Sequence, residues 1–172
     1  PMPPRHPLTW TADEARALRG RGALRGKEWS LAQVCEHLAL AIRGTISPPP
    51  RGEHRLAAPQ WWADLSALQR LKRQTMKHGL LWSGRFPAGV PSPDFVRPSA
   101  APDLDTTIQL LESAARDFDL SLTQTGTPWV HHPLLGPMNG PQWRRFHDLH
   151  ARHHFKFMAA AEAQAHGVNR AP

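Results

Sequence analysis

Apolar residues recur every three or four positions through most of the chain, and stretches rich in proline or glycine interrupt this pattern. Such spacing places the apolar side chains along one face of a helix. No segment alternates apolar and polar residues between hairpin turns, and no internal repeat is present. The pattern therefore predicts an all-α fold.

Two helices are predicted before residue 50. Thr11 and Glu14 have capping-box spacing, which predicts a first helix running to about Leu18 or Leu24. A second capping box begins at Ser30, and helical spacing continues until Ser47 and the proline run of residues 48–50. The apolar positions of this second helix are Leu31, Val34, Leu38, Ala41 and Ile42.

A third helix is predicted between Pro59 and Gly79. Its apolar side is expected to carry Trp62, Leu65, Leu68 and Leu71, opposite the basic residues. Residues 80–102 contain five prolines, which predicts a loop. We expect this loop to pack on the helices through Trp82, Phe86 and Phe95.

A fourth helix is predicted from about Asp103 to Phe118, and the last from a capping Asn139 to Gly167. These elements amount to four bundle helices and one inserted helix. We expect one domain over residues 8–167, with tails at 1–7 and 168–172 and with Met2 as the native start.

Composition narrows the class of protein. Lys and Arg number 21 against 14 Asp and Glu, a net charge of +7, but they are scattered and match no nucleic-acid-binding motif. We interpret them as solvated helix faces and expect no specific nucleic-acid partner. No apolar run is long enough to span a membrane. The single cysteine, Cys35, has no partner for an internal disulfide, which is typical of a cytoplasmic protein.

Histidines supply the candidate chemistry. In the last helix His150 and His154 lie one turn apart on the apolar face, where an i, i+4 pair can share one metal ion. His37 falls on the apolar stripe of the second helix and is the best candidate for a third ligand. Three such imidazoles would hold Zn, Ni or Fe and leave positions open for water or substrate.

The alternative is that these are hydrogen-bonded core histidines without a metal. His147 and His153 crowd the same helix as exposed neighbours or as groups that orient the ligands.

Three motifs occur in order: Trp-Ser-x-x-Gln-x-x-x-His-Leu-Ala at residues 29–39, His-Pro-x-x-Gly at 132–136 and His-x-x-His-His at 150–154. Together they resemble the DinB-like (DinB/YfiT) superfamily of metalloenzymes, and within it a bacterial subfamily of unknown function. The resemblance covers about Leu8 to Phe157. One departure is visible, because Phe155-Lys-Phe157 stands where members commonly have Gln soon after the last His-His pair.

The resemblance implies a four-helix bundle whose long crossover, residues 47–102, carries the extra helix between bundle helices 2 and 3. It also implies a metal held by His37, His150 and His154. The His132 loop leads into the last helix, where it either closes over the end of the bundle beside the pocket or is a structural turn.

Characterised members of the superfamily include metal-dependent S-transferases that use low-molecular-weight thiols. Our first hypothesis is therefore a metal-dependent S-transferase that acts on a small molecule with such a thiol as cofactor. A metal-dependent hydrolase is the second hypothesis; Glu36 is a poor candidate for its general base, and Asp148 and Glu112 are open candidates. A non-catalytic bundle stabilised by metal, such as a stress-related binding protein, is the third. A homodimer through an exposed patch at Trp61 and Trp62 is a further expectation.

Overall fold

The computed structural model describes residues 7–26, 28–46, 62, 64–86, 93–124 and 131–167, with side chains up to 158. This part of the chain is helical and contains no β-strand, which confirms the all-α prediction. Its elements are α1 (Trp10–Gly20), α2 (Leu31–Ile46), α3 (Ala67–Ser83), a 3₁₀ turn (Asp94–Val96), α4 (Leu104–Ser121) and α5 (Gly140–Gly167).

The core lies between α1, α2, α4 and α5. The most extensive helix pair is α2 with α4, and both α1 and α5 pack against this pair. Small residues on the facing sides allow close approach of the helices. They include Ala12, Ala15, Ala39, Ala114 and Ala115, all fully buried. In contrast, α3 lies outside this group and contacts α5.

Three helix starts follow the sequence prediction. At α2, Ser30 Oγ accepts from the Gln33 amide at 3.2 Å, and the Gln33 side chain accepts from the Ser30 amide at 3.0 Å. Asn139 and Gln142 exchange the same pair of bonds before α5, at 2.9 and 3.1 Å. Asp103 caps α4. Each bond satisfies an amide that the first helical turn leaves free.

The capping box predicted at Thr11 is wrong. The helix begins at Trp10, so Thr11 lies inside it, and the buried Thr11 hydroxyl donates to the Leu8 carbonyl at 2.9 Å. The preceding segment is held instead from α4, because the Leu8 amide donates to Asp119 at 2.7 Å. A contact 111 residues away in the chain thus anchors the start of α1.

The orientation predicted for the third helix is also wrong. Leu68 and Leu71 are 75% and 62% exposed, whereas Lys77 and Leu80 are buried. The Lys77 ammonium donates to the Pro137 carbonyl at 2.9 Å. A periodic pattern distinguishes the two faces of a helix but does not show which of them packs against the rest of the protein. Here the packed face carries cationic side chains that donate hydrogen bonds to neighbouring carbonyls.

The ends of α3 differ from the sequence prediction as well. A capping box at Ser66 and Gln69 starts the helix, and Gly84 in the left-handed region, with φ +67°, ends it. The predicted start at Pro59 lies outside the described residues. Trp82, expected to pack on the helices, is 88% exposed.

Two aromatic residues, Phe86 and Trp62, test the packing expected for the segments on either side of α3. Phe86 packs edge-on against Phe146 with ring centroids 5.6 Å apart, as the sequence predicted. Trp62 is half-buried over Gly136, so the expected exposed patch is wrong at this position, and Trp61 lies outside the described residues. Among the helices of the described chain, none combines the length and apolarity that crossing a membrane requires.

Gly136 provides a test of this packing. Its φ is +76°, and a Cβ there would collide with the Trp62 ring. We expect Gly136→Ala to lower the free energy of unfolding by at least about 1–2 kcal/mol, since the left-handed conformation alone costs that much in an L-residue. Urea denaturation measures the change.

Gly20→Ala is the matched control, because a Cβ at Gly20 meets nothing within 4 Å and its φ is not positive. Equal stability of the two variants would contradict the described turn.

Candidate metal centre

Two helices bring three imidazoles together. His37 lies midway along α2 and is 3% exposed, and His150 and His154 project from successive turns of α5. The spacing of four residues puts the latter two on one face of α5, and the packing of α2 against α5 turns that face toward His37. The residues singled out from helical spacing therefore lie side by side.

The three Nε2 atoms converge. His150 Nε2 is 3.2 Å from His37 Nε2 and 3.1 Å from His154 Nε2. One candidate ligand atom from each ring lies within 4.8 Å of the others. For comparison, two nitrogens on a tetrahedral zinc ion with bonds of about 2.0–2.1 Å are about 3.3 Å apart. The rings are close enough to bind one metal ion.

A backbone contact fixes the orientation of His37. Its Nδ1 donates to the Val96 carbonyl at 2.7 Å, which leaves the Nε2 lone pair of the neutral ring free. The segment after Val96 is fixed in turn by Glu36, whose carboxylate accepts from the Ser99 amide and hydroxyl, both at 2.8 Å. Glu36 thus holds the crossover against α2 and is occupied away from the three Nε2 atoms.

Burial keeps the three rings neutral. It lowers the pKa of His37, it lowers the pKa of His150 well below the ordinary value, and it lowers the pKa of His154 to about 3. Neighbouring imidazoles lower the pKa values of His150 and His154 further, because each would repel a second positive charge. Neutral imidazole is the form that binds metal.

The close approach of these rings is better satisfied by a shared metal ion than by hydrogen bonds between the imidazoles. A neutral His150 with its proton on Nε2 can donate to only one of its two neighbours. In either tautomer its buried Nδ1 has no hydrogen-bond partner among the described residues. A cation between the rings accepts all three Nε2 lone pairs at once, so the donor set fits a divalent ion.

Aromatic rings border the three histidines. Trp29, just before α2, stacks nearly parallel on His154 at 13° and lies 4.7 Å from His37, centroid to centroid. Phe86, just after α3, is tilted over His150 at 5.5 Å. Trp29, Phe86, His150 and His154 are each half-buried, so the cluster lies at the edge of the core.

The other candidate histidines have different roles. His147 is buried against Trp143, stacked at 5.4 Å, and its Nε2 lies 3.4 Å from the Thr45 hydroxyl, which makes it a core residue. His153 is half-buried beside His154 and Phe86, and it contributes no ligand atom to the convergent group.

His132 organises the turn that precedes α5. Its Nδ1 accepts from the amides of Leu134 and Leu135 at 3.1 and 3.3 Å, and its backbone pairs with Gly136. Of the two interpretations of the His-Pro-x-x-Gly motif, the contacts favour a structural turn.

The carboxylates considered as general bases are engaged elsewhere. Glu112 pairs with Arg16 of α1 and with Arg116 of its own helix, and Asp148 accepts from Arg145 and Arg152.

Sequence reasoning missed Val96 and gave no role to Trp29. Val96 acts through its backbone carbonyl, for which side-chain identity carries no signal. Trp29 begins the first motif, and this position was the one available sign of its importance.

The structure thus defines an all-α protein with three histidines placed to bind a metal. The chain belongs to the family described as "Protein of unknown function (DUF1569)", whose sequence profile matches residues 6–161. Comparisons with curated proteins and with solved structures found no match.

His147, which is buried, and His132, which is half-buried, predict a pH-dependent stability. Burial lowers the pKa of His147 to about 3 and that of His132 to about 4, from an ordinary value of 6.5. Below pH 6.5 the unfolded chain therefore binds protons that the folded chain excludes. The stability from these groups is fully present above pH 6.5 and is lost as the pH falls toward 4 and 3.

Each such group should steepen the fall by up to about 1.4 kcal/mol per pH unit. We expect His147→Gln, measured by urea denaturation of chelator-treated protein between pH 4 and 8, to make the slope shallower by about this amount. The slope is the readout, because lost packing lowers stability at every pH. A slope identical to that of the wild type would contradict neutral burial of His147.

Proposed function

We propose that this protein is a metal-dependent enzyme of the DinB-like type, in which His37, His150 and His154 hold a divalent Zn, Ni or Fe ion. We propose further that it is an S-transferase that joins a low-molecular-weight thiol to a small-molecule electrophile. The observation that carries the proposal is that His150 Nε2 lies 3.2 Å from His37 Nε2 and 3.1 Å from His154 Nε2, with Trp29 and Phe86 against these rings.

The packing of α1, α2, α4 and α5 supports a DinB-like four-helix bundle. In this proposal α2 and α4 are bundle helices 2 and 3, and residues 47–102 form the crossover between them, with α3 inserted. The ligands then come from bundle helices 2 and 4, as the resemblance implies.

Bound there, a divalent ion would supply positive charge that lowers the pKa of a thiol at an open position and makes it nucleophilic. The residues of the chain itself orient the ligands and cover the site. The Val96 carbonyl orients His37, and adjacent turns of α5 hold His150 and His154. Trp29 and Phe86 cover the histidines and limit the access of water.

The reacting thiol has to come from a small molecule. Cys35 is the single cysteine of the chain and is fully buried. Burial raises the pKa of its thiol to about 12, so Cys35 is inert as a nucleophile at neutral pH.

A hydrolase is less well supported. Activation of water calls for a base beside the metal, and the three carboxylates considered are bound to other groups: Glu36 to Ser99, Glu112 to two arginines and Asp148 to two arginines. Transfer of a thiol acidified by a metal needs no such carboxylate.

The first test is metal content. We expect wild-type protein, purified without a nickel column, to carry about one divalent ion per chain, as three histidine ligands in one cluster imply. The double variant His150→Ala, His154→Ala should lose it. Elemental analysis by mass spectrometry measures both.

His78→Ala is the matched control, since His78 is exposed on α3 and bonds to a carbonyl of its own helix. Loss of metal in this variant as well, or absence of metal from wild-type protein after zinc is added back, would refute the proposed site.

The second test separates an enzyme from a non-catalytic bundle. Metal-loaded wild-type protein is expected to accelerate the reaction of a thiol such as glutathione or mycothiol with an aryl halide at least about 100-fold over the double variant, a typical size for one catalytic effect. Thiol consumption measures the rate. Bound metal with no rate above the double variant, over a panel of thiols and electrophiles, would leave the non-catalytic bundle as the better interpretation.

A further inference from the structure

We infer that the ligand bound beside the three Nε2 atoms carries a planar aromatic group, and that Trp29 and Phe86 are the residues that select it. This inference rests on the proposed function and adds the chemical class of the ligand. It concerns the part of the proposed thiol ligand that extends beyond its sulfur atom.

The first face of this site is Trp29. Its ring is nearly parallel to His154, with centroids 5.7 Å apart, and it is tilted by 51° against His37 at 4.7 Å. These contacts fix the orientation of the indole from two helices. Because Trp29 is half-buried, part of its surface is left uncovered. A fixed, partly open indole favours a flat apolar partner.

The second face is Phe86. Its ring centroid lies 5.5 Å from that of His150 and 5.2 Å from that of His153. It also packs edge-on against Phe146 at 5.6 Å. Phe86 comes from the segment after α3, whereas Trp29 comes from the segment before α2. The two rings therefore border the histidine cluster from separate parts of the chain.

The side chains that border the histidine cluster are aromatic. Trp29 lies against His37 and His154, and Phe86 lies against His150 and His153. A planar ring placed against either face gains contact area, and stacked or edge-to-face contact adds to that burial.

The test uses two thiols of similar acidity, phenylmethanethiol and 2-mercaptoethanol, with protein loaded with Co²⁺. Visible absorption of the cobalt reports metal stoichiometry and thiol binding separately. We expect wild-type protein to bind phenylmethanethiol about 10-fold more tightly, because aromatic contact and apolar burial together are worth roughly a factor of ten.

Trp29→Leu and Phe86→Leu remove a ring and keep an apolar side chain. Each should reduce the preference to about 3-fold or less, with cobalt stoichiometry unchanged. Trp82→Leu is the matched control, because Trp82 is 88% exposed on α3, and it should keep the full preference.

Cobalt binding with no preference in the wild type, or with an unchanged preference in both variants, would overturn the inference and leave the metal site standing. If wild-type protein takes up no cobalt, the metal site itself is wrong and the inference fails with it.

Discussion

Burial of neutral imidazoles at the contact between α2 and α5 is the constraint on which the candidate site depends. A charged imidazolium in this core would lack both water and a counter-ion, so the rings are held neutral and their lone pairs are available. The same burial that keeps His150 and His154 neutral packs them against Trp29 and Phe86. Site chemistry and core packing are therefore two results of one arrangement.

The segments around α3 complete this arrangement. Lys77 and Arg73 attach α3 to carbonyls of the turn before α5, and the chain that leaves α3 places Phe86 over His150. Further along, the Val96 carbonyl orients His37. The attachment of α3 is therefore both apolar, through Leu80 in the core, and polar, through cations that donate to backbone carbonyls.

The helices that carry the three histidines were predictable from the sequence, because there the local signals and the tertiary packing agree. The capping boxes at Ser30 and Asn139 located α2 and α5, and helical spacing then put His37, His150 and His154 on inward faces. These are the elements that carry the site.

The rest depended on contacts that local patterns do not specify. Thr11 has the spacing of a cap but is buried inside α1, because Asp119 of α4 holds the preceding residues. The face of α3 that docks was decided by carbonyl groups of a turn about 60 residues away. The role of Val96 depends on its backbone, which every residue type shares.

The distance along the chain between the two halves of the site has a consequence for biosynthesis. His37 and His150 are 113 residues apart, and α5 is the last helix described. A growing chain that has not yet produced α5 contains His37 but neither His150 nor His154. The complete donor set therefore comes into existence only after synthesis has passed His154 and α5 has packed against α2. Any ion that uses all three rings is acquired after that packing.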